Sequence, residues 1–149
     1  MEKLCVIKMR SSIKKRGKVQ VILGNLGLYK LYSCTIVDGS QQMRGMLKEI
    51  DSVITYGELS KEAAAKLLAK RSMASNIKRY DWKSGELTAF IDDFMSGKKK
   101  LVDLKIKRIF RLHPPAGGFE RAGKKVAFSL GGAVGYRGKE IANLLERMI

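Results

Sequence analysis

From Lys98 to Lys139 the chain sets twelve lysines and arginines against two acids, Asp103 and Glu120. The same tract holds both prolines, Pro114 and Pro115, the only histidine, His113, and seven of the fifteen glycines. Its surplus of ten positive charges belongs to a total of +16. A surface kept soluble by charge mixes both signs, so a one-sign tract calls for a polyanion alongside it. Nucleic-acid phosphate is the fitting partner, because lysine and arginine bind it with release of condensed counterions. Phe110, Phe119, Phe128 and Tyr136 recur through the tract eight or nine residues apart. They offer surfaces for bases, sugars or a local core. Within the tract Arg111, His113, Arg121, Lys124, Lys125, Arg137 and Lys139 are candidate contacts.

A second cationic segment runs from Arg10 to Lys18, with five positive residues and no acid. It joins a predicted strand to a predicted helix, so Arg10, Lys14, Lys15 and Arg16 are expected to form a phosphate clamp. Arg44 stands beside Gly45 on a predicted helix. The glycine would either let a rigid partner approach the backbone closely or pack against another helix.

Other chemistries fit poorly. The run from Gly131 to Glu140 has the look of a nucleotide-binding loop, but Ala133 and Glu140 occupy positions where that loop needs glycine and a magnesium-holding Ser or Thr. His113 has no carboxylate nearby in sequence to orient it as a base. Asp92 and Asp93 are adjacent on a predicted helix and so should point apart, as a solvated face would. One histidine and no Cys-x-x-Cys pair argue against a metal, and no cofactor is expected. Cys5 and Cys34 sit in apolar runs and read as small buried hydrophobes in a reduced, cytoplasmic protein. No apolar run, basic amphipathic helix or lipidation signal argues for a membrane partner.

The elements that must position these charges follow from hydrophobic period. Leu4 to Met9 alternates as a strand, with Cys5, Ile7 and Met9 on one face and Leu4, Val6 and Lys8 on the other. Val19, Ile22, Leu23 and Leu26 form one helical stripe, which Gly27 should end with Leu28 folded back over the last turn. Leu31 to Val37 is a second strand, closed by Asp38-Gly39. Ser40 then caps a helix whose stripe is Met43, Met46, Leu47 and Ile50. Val53 to Tyr56 is a third strand, broken by Gly57. This part, residues 1–57, is predicted as an α+β core: β-α-β-α-β, with both helices on one face of a three-stranded antiparallel sheet.

Residues 58–149 are expected to be a mostly helical extension with the long basic loop, packed on the core. Ser60 caps a helix to about Arg71 with Ala64, Leu67 and Leu68 inward. Ser72 to Lys83 reads as a loop, basic at Lys78 and Arg79. Ser84 should begin a helix with the stripe Leu87, Phe90, Ile91 and Phe94, ended by Gly97. Val102, Leu104 and Ile106 alternate with charged residues as an edge-like strand. Ile141, Leu144, Leu145 and Met148 define a final helix.

Several segments together resemble one family, the large-subunit ribosomal protein L-thirty in its archaeal form, similar to eukaryotic L-seven. They are Met43 to Leu47, Val53 to Leu59, Phe110 to Phe119 and Leu130 to Gly138, in the family's order across most of the chain. The resemblance implies the same three-stranded core and an extension of archaeal and eukaryotic type. It implies a non-catalytic structural constituent of the large ribosomal subunit in the cytoplasm. The implied partners are large-subunit ribosomal RNA, with the small 5S RNA as a further candidate, and neighbouring ribosomal proteins. By position, Arg10, Arg44, Arg111, His113 and Arg137 carry over as RNA contacts. Ala116 departs from the family pattern, which often has arginine there; Arg121 or Lys124 would supply that charge. The alternative reading is a non-ribosomal RNA-binding factor in RNA processing or ribosome assembly.

Overall fold

The computed structural model describes residues 2–74, 80–82 and 85–149. At its centre is β1, Lys3–Lys8, flanked by β2, Ser33–Asp38, and β3, Ile54–Glu58, both antiparallel to it. Two helices follow the first two strands: α1, Gly17–Asn25, and α2, Gln41–Glu49. The expected β-α-β-α-β core is present. Gly27, at φ 73°, ends α1 in the left-handed region, and the Leu28 N–H reaches back to the Leu23 carbonyl at 2.8 Å. The Ser40 hydroxyl accepts from the Met43 N–H, so α2 starts at its expected cap.

Every residue of β1 is buried, which a strand at the surface of a two-layer fold would not be. Leu4 and Val6 face Ile22 and Leu23 of α1, Leu47 of α2 and Ile50 just after it. Cys5, Ile7 and Met9 face a second and larger cluster. That cluster is built by α3, Lys61–Arg71, α4, Glu86–Met95, and α5, Ile141–Met148. The predicted stripes supply it: Leu67 and Leu68, then Phe90, Ile91 and Phe94, then Ile141, Leu144, Leu145 and Met148. The extension thus covers the second face of the sheet and makes three layers. Ser60 caps α3 as expected, through the Ala63 N–H.

The sheet has five strands rather than three, in the order β4-β2-β1-β3-β5. β4, Ile109–Arg111, is antiparallel to β2; β5, Gly135–Tyr136, is parallel to β3. Both come from the tract expected to be a loop. Phe110 anchors it from β4 with its side chain fully buried. Gly57 lies inside β3 instead of breaking it. A β-carbon there would overlap the Gly138 carbonyl, so the glycine lets the turn after β5 press onto the strand.

Two local expectations need correction. Leu101–Leu104 forms a 3-10 turn, not an edge strand, because the Asp103 carboxylate accepts from the Lys100 N–H at 2.7 Å and closes the chain on itself. Met46 is exposed, at the rim of the α2 stripe. Gly85, at φ 82°, immediately precedes α4. Lys78, Arg79 and Ser84, the expected start of that helix, lie outside the described residues.

Candidate nucleic-acid interface

The segment joining β1 to α1 is shaped from beneath by two polar side chains. Lys8 is buried at the end of β1, where its ammonium donates to the carbonyls of Leu28 at 3.0 Å and Tyr29 at 2.9 Å, and to the Ser12 hydroxyl at 3.4 Å. It has no carboxylate partner among the described residues, and burial lowers its pKa. From α1 the Gln20 amide donates longer bonds to the carbonyls of Ser12, Ile13 and Lys15, at 3.3 to 3.5 Å. With these carbonyls drawn inward, Lys14 and Arg16 project into solvent and Lys15 is half-buried. None of these three cations has an acid partner among the described residues. Lys18, by contrast, pairs with Glu49 at 3.1 Å. Arg10 is a strut, donating to the Ser52 carbonyl at 3.1 Å across the gap to β3.

The glycine-rich tract is tied down at intervals. The His113 and Ala116 N–H groups donate to the carbonyls of Met148 and Arg147, across the end of α5. Phe119 stacks against Tyr32 at 6.3 Å, and the Lys124 ammonium lies over its outer side, 4.9 Å from the ring centre. Arg111, His113, Arg121, Lys124, Lys125 and Lys139 are exposed and face no acid among the described residues. Phe110 and Phe119 therefore build local core, while Tyr136 stays half-exposed with its hydroxyl on Glu58 at 2.9 Å.

Arg137 is not at the surface. Its guanidinium is buried, pairs with Glu120, donates to the Thr55 hydroxyl at 3.3 Å and the Ala133 carbonyl at 3.1 Å, and lies 4.4 Å from the Phe128 ring centre. A cation with this many internal partners braces the tract. Arg44 is partly committed too: it pairs with Glu2 and donates to the Gly39 carbonyl at 3.3 Å. A β-carbon at Gly45 would meet nothing within 4 Å among the described residues, so the glycine is not there for helix packing within them.

Register decides which cations share an end of the sheet. Arg111 pairs with Ser33, and Cys34 with Ile7, so Arg111 and His113 lie beside the Arg10 segment. Gly135 pairs with Thr55, and Thr55 with Ile7, which brings in the start of β5. The Ala133 N–H bonds to the Gly123 carbonyl, so Arg121, Lys124 and Lys125 join the same end. Arg44 sits at the opposite end with Glu2. Sequence reasoning missed Lys8 and Gln20 as the internal clamps. Lys8 carried one signal, a charge at a position that alternation assigns to the buried face.

The acids are dispersed. Asp92 pairs with Lys61 and Asp93 with Lys99, so the two adjacent carboxylates point apart. Among the described residues no cluster of His, Cys, Asp and Glu could hold a metal, and no helix is long and apolar enough to cross a membrane.

The three-layer scaffold thus braces some cations internally and turns others outward at one end of its sheet. Residues 4–54 match the family model described as Ribosomal protein L30p/L7e. Large ribosomal subunit protein uL30 of Methanococcus vannielii is 35% identical over 153 positions, covering 97% of both chains. The uL30 of Methanopyrus kandleri is 36% identical over 95% of this chain and 100% of its own length, and that of Thermofilum pendens 35% over 97% of each. The chain belongs to the L30p/L7e family of ribosomal proteins.

Proposed function

We propose that this protein is a structural constituent of the large ribosomal subunit, in the cytoplasm, where it binds and stabilises folded ribosomal RNA. The observation that carries the reading is similarity to uL30 proteins along nearly the whole chain. The outward cations at one end of the sheet supply the physics. Lys14, Lys15, Arg16, Arg111, His113, Arg121, Lys124 and Lys125 would meet RNA backbone there, with Lys139 and the braced Arg10 and Arg44 as flanking contacts. Arg137 would act from inside, by fixing the tract. Recognition would depend on RNA shape, because A-form grooves hide base edges from side chains.

Residues 1–57 would serve as the ribosomal core and 58–149 as an extension packed on it. The small 5S RNA and neighbouring ribosomal proteins are further partners within this proposal, and no catalytic step is assigned. Salt tests it. For about 6–10 phosphate contacts, affinity for large-subunit RNA should fall roughly 10³–10⁵-fold between 50 and 200 mM salt. A nearly salt-independent affinity, or absence of the protein from salt-washed large subunits, would overturn it.

A further inference from the structure

A cleft of about 290 Å³ opens between the connection from α1 to β2 and the outer strand β4. Tyr29, Lys30, Met73, Lys107, Ile109 and Arg111 line it. Its charged residues are three cations, with no acid, and among the described residues none of the three pairs with a carboxylate. Only Arg111 stood out in the sequence.

The apolar part of the lining is Ile109, Met73 and the ring of Tyr29. Ile109 fills the space beside Gly27, where any β-carbon would collide with its side chain. Tyr29 is 75% exposed, a large apolar surface to leave in water. Yet the ring is tethered: its hydroxyl donates to the Gly24 carbonyl at 3.4 Å, at the end of α1. Tyr29 also lines a second cleft, with Lys8 and Gln20. Beyond Met73 and Arg111 the cationic lining continues through Lys70 and Arg71.

An exposed ring, apolar side chains and unpaired cations lining one cleft suit a ligand with both a flat apolar face and negative charge. We propose that this cleft takes a single unstacked nucleotide of RNA, its base against Tyr29 and its flanking phosphates on Lys30, Lys107 and Arg111. Base–aromatic stacking tolerates any base, and the cations follow the backbone on either side. An acidic peptide would satisfy the cations but gives no use to the exposed ring. The proposal rests on the ribosomal RNA reading above, shares Arg111 with it, and adds Tyr29, Lys30 and Lys107 as a defined nucleotide site beside that contact.

The test uses assembled large subunits carrying wild-type protein, Tyr29→Ala, Tyr29→Phe, or Lys107→Ala with Arg111→Ala. Sedimentation reports whether the protein is in the particle; nucleotide-resolution chemical probing and ultraviolet crosslinking report the cleft. Tyr29→Ala should remain in the particle while one nucleotide becomes more reactive by about fivefold or more, the low end of what one such stack contributes. Tyr29→Phe should restore protection, the double variant should expose the same nucleotide, and wild-type subunits should yield a nucleotide adduct on the peptide containing Tyr29. Identical reactivity in wild type and Tyr29→Ala would overturn the site while leaving the RNA reading intact. So would crosslinking of Tyr29 to a neighbouring protein. Absence of wild-type protein from the particle would overturn both. Should Tyr29→Ala fail to assemble, the wild-type adduct decides alone.

Discussion

Glu120 closes on the buried guanidinium of Arg137, the two carried by one glycine-rich tract seventeen residues apart. The same carboxylate oxygen lies 3.3 Å from Arg147 at the end of α5. One acid therefore ties the tract to itself and to the last helix. This explains how a segment with so many glycines and like charges keeps a shape against the sheet.

Removing either partner should be costly: without Glu120 the buried Arg137 loses its carboxylate, and without Arg137 the partly buried Glu120 keeps only Arg147. Arg137→Ala is expected to lose about 3–5 kcal/mol of stability, measured by denaturant unfolding. Arg137→Lys should recover little of it, since an ammonium cannot reach Thr55, Ala133 and Glu120 together from the face of Phe128. A loss near zero would mean that the pair is incidental.

The pair also sets an acid limit. Burial pushes the Glu120 carboxyl up, but the hydrogen bond from Arg137 and the two guanidinium charges outweigh it and hold the pKa below its usual 4.5. A depressed folded-state value contributes stability that is fully present above the unfolded pKa and fades as pH falls through the folded one. Unfolding midpoints measured from pH 6 downward should therefore drop below about pH 4.5. Glu120→Gln should start less stable and show a shallower drop over that window.

Gly57→Ala should force the turn at Gly138 off β3, as the new β-carbon would occupy the place of a carbonyl oxygen. The hydrogen bond from the Arg137 N–H to the Tyr56 carbonyl, 2.8 Å, would stretch with it. The expected cost is about 1–3 kcal/mol, read as a lower thermal midpoint. Gly45→Ala, where nothing is near, should leave the midpoint unchanged or raised.

Shape and charge in the Arg10 segment should separate experimentally. Replacing Lys14, Lys15 and Arg16 together by alanine should make the salt dependence of RNA binding shallower by about 2 to 3 in log–log slope. Gln20→Ala removes a brace and no charge, so affinity should fall while the slope holds. Equal slopes for the two variants would contradict the division of labour.

Cys34 faces Cys5 at 3.3 Å with both side chains buried. The hydrogen bond to Cys5 and then burial push the Cys34 thiol well above its usual 9.0. Native protein should resist alkylation at neutral pH and react at both cysteines once unfolded. Rapid native modification would show that the sheet opens there.

The helices were legible because their signals are local. The stripe Ile141, Leu144, Leu145 and Met148, the caps Ser40 and Ser60 and the stop at Gly27 each lie within a turn or two of what they control. β4 and β5 were not legible: three and two residues show no period, and their pairing partners lie far along the chain. The Val102 to Ile106 alternation misled because a single carboxylate, Asp103, closed a turn that alternation cannot detect.

By itself the sequence determined the strand-and-helix order of the core, the outlying cations and their excess over acids, since composition and short-range periodicity need no fold to be read. Tertiary structure alone decided that β1 is covered on both faces and that the glycine-rich tract completes the sheet. It also decided that Arg137 turns inward while Lys14 and Arg16 turn outward. Whether a charge is braced or free depends on residues such as Thr55, Glu120 and Gln20 being carried to it by the rest of the chain, and no local pattern encodes that meeting.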